Sequence, residues 1–169
     1  MKSFPPTLLL VFGLPGTGKT TLARALAERL QWPHYNTDII RDQEGKRHQY
    51  DQQTKAFIYS RLIERTREAL GDGKGVIVDG TFYREDLRVP FRELGRTLEV
   101  PVKWVEVRAG EAVVRERVSK PRPYSEADFD VYQKIKSEFE PLQEASLKVY
   151  TDREPMATML GEVLRFIAP

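Results

Sequence analysis

Thr7-Leu-Leu-Leu-Val-Phe12 runs straight into Gly13-Leu-Pro-Gly-Thr-Gly18-Lys19-Thr20, and no other junction constrains this chain as strongly. The apolar run has no polar alternation, as expected of a strand buried on both faces of a parallel sheet. Beyond the loop, Leu22, Ala23, Leu26, Ala27 and Leu30 recur at helical spacing. Strand, G-x-x-x-x-G-K-[ST] and helix in that order make a phosphate-binding loop. The glycines let backbone N–H groups close around phosphate oxygens. The Lys19 ammonium reaches the β- and γ-phosphates, and the Thr20 hydroxyl suits Mg²⁺. The following helix turns the positive end of its dipole toward the same anion. Gly13, Pro15, Gly16, Thr17, Gly18, Lys19, Thr20 and Thr21 are therefore the expected nucleotide contacts, with a Mg²⁺-bound nucleoside triphosphate as the ligand.

Composition narrows the rest. The 169 residues suit one domain over 1–169. With 27 basic and 25 acidic residues the net charge is only +2, too balanced to argue for bulk nucleic-acid or membrane binding. The absence of cysteine excludes disulfides, thiolate metal sites and cysteine nucleophiles. No apolar leader stands before the first strand, so a cytoplasmic location without membrane association is the expectation. His34 and His48 are too few for a histidine metal site and read as surface or packing residues.

Strands alternate with helices along the chain. Strands are expected at 7–12, 34–37, 75–79, 102–107 and 147–151. The helices between and after them are expected at 20–30, 51–70, 84–98, 111–118, about 125–140 and 154–167. Pro90 should lie in the first turn of its helix or kink it. Ser125 and Asp128 match a capping box at the start of the fifth of these helices. The pattern implies an α/β fold: a five-stranded, mostly parallel sheet with helices on both faces. Ligands of such sheets sit beyond the carboxyl ends of the strands.

Those strand ends carry the candidate chemistry. After the second strand, Asp38 would face the γ-phosphate and accept the proton of an attacking hydroxyl. Arg41, one helical turn on, would reach an anionic group of the acceptor. An N-cap aspartate beside a solvated arginine fits the same spacing equally well. After the third strand, Asp79 is placed to orient Mg²⁺ together with Thr20, although a helix cap is again the alternative. No glutamate follows Asp79, which disfavours a motor ATPase. Asn36 is the sole asparagine, so the Asn-Lys-x-Asp element of GTPases is absent. Arg115, Arg117, Lys120 and Arg122 precede a proline-containing stretch that reads as a helical lid over about 115–130. Arg117 and Arg122 are expected on the phosphates and Arg115 beside the adenine, and a solvated helix face is the other reading of that charge run.

With these residues assembled, the chain resembles the small P-loop kinases of the AAA type. The group includes the polynucleotide 5′-hydroxyl kinase domain, zeta-toxin-like kinases, gluconate kinase and chloramphenicol phosphotransferase. Gly13 to Thr20, Thr37-Asp38-Ile-Ile-Arg41, and Val76 to Phe82 with Arg84 and Arg88 carry the resemblance. So do Arg115 to Asp128 and Phe139-Glu-Pro-Leu142. It implies the P-loop NTPase fold and transfer of the γ-phosphate of ATP to an alcohol, with Asp38 as general base. Lys19, Arg117 and Arg122 would assist the transfer. Asp38, Arg41, Asp79, Thr81 and Arg84 would line the acceptor side. A polynucleotide or nucleoside hydroxyl is the expected acceptor, a small metabolite or antibiotic the alternative, and a switch protein that hydrolyses ATP slowly a third. The stretch from Arg41 to Tyr50 should border the acceptor pocket.

Overall fold

A computed structural model describes residues 4–121 and 127–169. In chain order the elements are β1 (Leu8–Phe12), α1 (Lys19–Leu30), β2 (His34–Tyr35), α2 (Thr37–Gln43), α3 (Gln52–Gly71) and β3 (Val76–Gly80). They continue with α4 (Glu85–Thr97), β4 (Val102–Arg108), α5 (Glu111–Val118), α6 (Phe129–Glu138), β5 (Ser146–Tyr150) and α7 (Met156–Ile167). The strands form one sheet in the order β2-β3-β1-β4-β5, and every pairing is parallel.

β1 lies at the centre, and all five of its residues are completely buried. Strand parity sorts them onto two cores. Leu8, Leu10 and Phe12 pack with Val76, Val78, Trp104 and the inner faces of α3 and α4, including Ile58, Leu62, Phe91 and Leu94. Leu9 and Val11 pack on the other side with Ile77, Val105, Val149 and residues of α1 and α7, including Leu22, Leu26, Met159 and Val163. A sheet dry on both faces explains why the apolar run shows no alternation. It also fixes β1 so firmly that the loop leaving its carboxyl end starts from a rigid base.

The helices differ from expectation in three places, the first being α2, which is not among the expected elements. Asp128 caps α6 by accepting a hydrogen bond from the Val131 amide at 3.0 Å, so α6 starts at Phe129. Ser125 lies outside the described residues. Pro90 sits inside α4 beyond its first turn. The donor it lacks would have served the Asp86 carbonyl, on an exposed stretch where water can take over. Among the described residues, no helix is long and apolar enough to cross a membrane.

Candidate active site

The loop between β1 and α1 follows a path that only glycine can take at its tightest points. Gly13 has φ +152°, and a Cβ there would come within 2.3 Å of the Val107 carbonyl oxygen on β4. Gly16 has φ +76°, and a Cβ would meet Val118 at the end of α5 at 2.7 Å. Inside the loop, the Leu14 carbonyl accepts from both Thr17 Oγ1 and Lys19 Nζ at 2.8 Å. The Thr17 carbonyl accepts from the Thr151 hydroxyl, just past β5. Arg117 of α5 donates to the carbonyls of Gly16 and Thr17 at 3.3 Å and to Thr151 Oγ1 at 2.9 Å. Thus the carbonyls of Gly16 and Thr17 are taken by donors from α5 and from the residue just past β5.

Asp79, at the carboxyl end of β3, is 3% exposed. Thr20 Oγ1 donates to its Oδ1 at 3.0 Å. Its Oδ2 meets His34 Nε2 and accepts from Asn36 Nδ2 at 3.1 Å. His34 is therefore not a surface residue, since its side chain is 8% exposed and turned onto Asp79. The parallel register, which places His34 beside Ile77 and Tyr35 beside Val78, brings both groups to the same strand end. Asp79 caps no helix. Thr20 and Asp79 offer two hard oxygens side by side, the donor set Mg²⁺ accepts when phosphates and waters complete its shell. Among the described residues, no group of three or more His, Cys, Asp or Glu side chains could hold a metal without such help.

Asn36 also caps α2, its Oδ1 accepting from the Ile39 amide at 2.7 Å. That settles the alternative left by spacing: the N-cap is Asn36, and Asp38 lies inside the first turn. Asp38 accepts from Arg41 at 3.1 Å, so the arginine expected to reach an acceptor anion is engaged by Asp38 here. Arg41 itself is 6% exposed. Its Nε donates to the Gln49 carbonyl at 3.0 Å, and its guanidinium lies 4.5 Å from the centre of the Tyr50 ring. Here Arg41 fastens the stretch after α2 behind Asp38.

A cavity of about 1260 Å³ lies over these strand ends. Pro15, Gly16, Gly18, Lys19, Thr20, Thr21, Asp38, Asp79, Thr81 and Arg117 line it, so the structure gathers these sequence-derived candidates in one place. Among the described residues, Gly13, Thr17, Arg41, Arg84 and Arg115 do not line it. Gly13 and Thr17 shape the loop from behind. Arg84 is held by both Asp86 carboxylate oxygens at 3.0 and 2.7 Å. Arg115, expected beside the adenine, stacks on Phe129, 4.2 Å from the ring centre. Arg122 lies outside the described residues. Of the stretch from Arg41 to Tyr50, only Tyr50 reaches the cavity among the described residues.

Several lining residues escaped sequence reasoning. Lys55 and Tyr59 share one face of α3, and Val131, Lys134, Ile135 and Glu138 follow helical spacing on α6. Tyr83 joins them from the turn after β3. That turn is sharp: Phe82 is buried with φ +41°, a conformation non-glycine residues rarely adopt. The fully buried Arg88 holds it by donating to the Phe82 carbonyl at 2.6 Å, and also bonds the carbonyls of Glu140 and Pro141. Burial pushes the Tyr59 phenol up to about 12, with the nearby Tyr83 adding to the shift.

Comparison with known proteins bears on the family and the fold. A family described as AAA domain matches residues 8–142. Uncharacterized proteins of Mycobacterium tuberculosis and Mycobacterium bovis are 33% identical over 99 residues, 52% of this chain; the match spans about a fifth (20%) of those relatives' own length. A candidate kinase from Chloroflexus aurantiacus superposes with a TM-score of 0.76 at 23% identity, covering 95% of this chain and 97% of that one. A gluconokinase from Sinorhizobium meliloti gives 0.69 at 20% identity, covering 98% and 93%. The Mycobacterium tuberculosis APS kinase CysC, in complex with AMPPNP and APS, gives 0.73 at 15% identity, covering 96% and 98%. The fold is thus the P-loop fold that these structures share.

Proposed function

Because the chain belongs to the AAA-domain family matched over residues 8–142, we propose that it is an ATP- and Mg²⁺-dependent phosphotransferase acting on an alcohol. One observation carries the reading: Asp38 lines the same cavity as Lys19, Thr20 and Asp79. Transfer to an alcohol needs a proton acceptor on the acceptor side, and Asp38 supplies a carboxylate there, while the glutamate that activates water after the third strand in motor ATPases is missing.

In this reading the loop amides and Lys19 hold the β- and γ-phosphates. Thr20 and Asp79 would hold Mg²⁺, which supplies charge neutralisation on the phosphates. Asp38 takes the proton of the acceptor hydroxyl as that oxygen bonds to the γ-phosphorus. The bond from the γ-phosphorus to its bridging oxygen breaks, and ADP leaves. Arg117, already at the loop, and Arg122 supply further positive charge. Positioning and electrostatics account for most of the rate.

The acceptor reading favoured here is a nucleoside or polynucleotide hydroxyl. Tyr50, Tyr59 and Tyr83 give planar faces on which a base can stack, and Lys55 and Lys134 face the cavity with no ion pair among the described residues. A small polyol is the second reading, supported by the likeness in fold to gluconokinase. ADP release from ATP-Mg²⁺ should be measured with 5′-hydroxyl RNA and DNA, nucleosides, sugars and aminoglycosides. Strong stimulation by one of the first two classes is expected. Stimulation by sugars alone would reverse the acceptor assignment, and no stimulation by any acceptor would favour a switch protein.

A further inference from the structure

We propose that His34 is a positioning residue for the metal-binding carboxylate, which rests on the reading of Thr20 and Asp79 as Mg²⁺ ligands. An ionised carboxylate has no proton to give, so the contact between His34 Nε2 and Asp79 Oδ2 is an imidazole N–H donating to the oxygen. Asn36 Nδ2 donates to the same oxygen at 3.1 Å. Both donors come from the end of β2, and both engage Oδ2. This leaves Oδ1 turned toward Thr20, with its hydroxyl at 3.0 Å.

The division of labour between the two oxygens is the argument. A carboxylate on a strand end can rotate about its last torsion, and each rotation exchanges which oxygen faces the neighbouring hydroxyl. Two donors on Oδ2 remove that freedom. They keep the second lone-pair-bearing oxygen aimed where Thr20 presents its own. Partners behind a ligating carboxylate typically alter metal affinity 10–100-fold when removed. His34 is well suited to this task, because its side chain is 8% exposed and is not among the residues that line the cavity. Asn36 is harder to isolate by mutation, since it also caps α2.

The distinguishing property is the dependence of nucleotide binding on Mg²⁺. Calorimetric titration of the full chain with the β,γ-imido analogue of ATP, across a Mg²⁺ series and in EDTA, reads it directly. For His34→Ala, the Mg²⁺ concentration that half-saturates the tightening of nucleotide binding should rise about 10-fold or more. Affinity in EDTA should stay within about 2-fold. His34→Gln places an amide nitrogen where Nε2 was and should restore the wild-type Mg²⁺ response within about 3-fold. His34→Asn falls short of Asp79 and should resemble alanine. The Gln–Asn contrast keeps the test decisive if the alanine variant folds poorly.

Equal Mg²⁺ responses in the Gln and Asn variants, or equal losses with Mg²⁺ and in EDTA, would overturn the proposal and leave His34 a purely structural residue. A wild-type protein whose nucleotide affinity ignores Mg²⁺ would instead sink the metal assignment of Thr20 and Asp79, and this inference with it.

Discussion

The two ends of the cavity are built by different means. At the loop, the ligand-facing groups are largely backbone, and protein donors occupy the carbonyls behind them: Thr151 on Thr17, and Arg117 on Gly16 and Thr17. Asp79 beside it has three side-chain partners. Around Asp38 the wall is made of side chains on α3, α6 and the turns after α2 and β3, with Tyr50 43% exposed. A triphosphate is always the same shape, so its site can be cast in backbone and braced from behind. An acceptor is particular to each protein, and side chains on surrounding elements can change without disturbing the sheet.

Mutations can break or sharpen this contrast. The largest effect is expected at the loop: Lys19→Ala should lower acceptor-dependent ADP release by more than about 1,000-fold. Activity above a tenth of wild type would mean that the braced loop amides suffice alone. Asp38→Asn should cost about 100- to 10,000-fold in phosphoryl transfer yet leave affinity for the β,γ-imido ATP analogue within a few-fold. Full transferase activity in that variant would remove Asp38 as the base.

Asn36→Asp tests whether the two ends are independent. The substituted side chain would still cap α2, but it loses the donor to Asp79 and sets a like charge beside it. Nucleotide affinity and acceptor KM should therefore both worsen, by about 10-fold each, from roughly 1–2 kcal/mol for a lost charge-assisted hydrogen bond. If only nucleotide affinity moves, the two ends are uncoupled at this residue. Arg41→Met should raise acceptor KM several-fold through a loosened Asp38 and Tyr50, with nucleotide affinity unchanged. The smallest effect is spectroscopic. In an alkaline titration by ultraviolet absorbance, Tyr59 should ionise near 12, well after solvated phenols near 10. Because its folded value is raised, its contribution to stability is intact below pH 10 and is lost as pH climbs from 10 through 12. A phenol titrating near 10 at this position would mean that the acceptor end is as wet as the surface.

What could be read from the chain follows the range of the interactions. The loop was legible because strand, glycines, lysine and helix are contiguous. That Asp38 and Arg41 share one side of α2 was legible from helical spacing alone, whereas the ion pair between them was not foreseen. His34 was not, since its role depends on β2 aligning with β3 across 45 residues of chain. Arg117 read as a phosphate contact, and its guanidinium here lies on loop carbonyls, which no local pattern reveals. Lys55, Tyr59 and Lys134 escaped because a helix face turned to a ligand cavity has the same polar composition as one turned to water.

Thr151 carries one more consequence. It stands beyond residue 142, where the matched family region ends, yet its hydroxyl secures a carbonyl in the middle of the loop that begins at Gly13. The first motif of the chain is therefore completed by a residue just past β5. A fragment trimmed to the matched region would retain every signature residue and lose the clamp that shapes them, along with Val149 and α7 from one of the two cores. Its expected behaviour is a polypeptide with the right letters and a slack grip on phosphate.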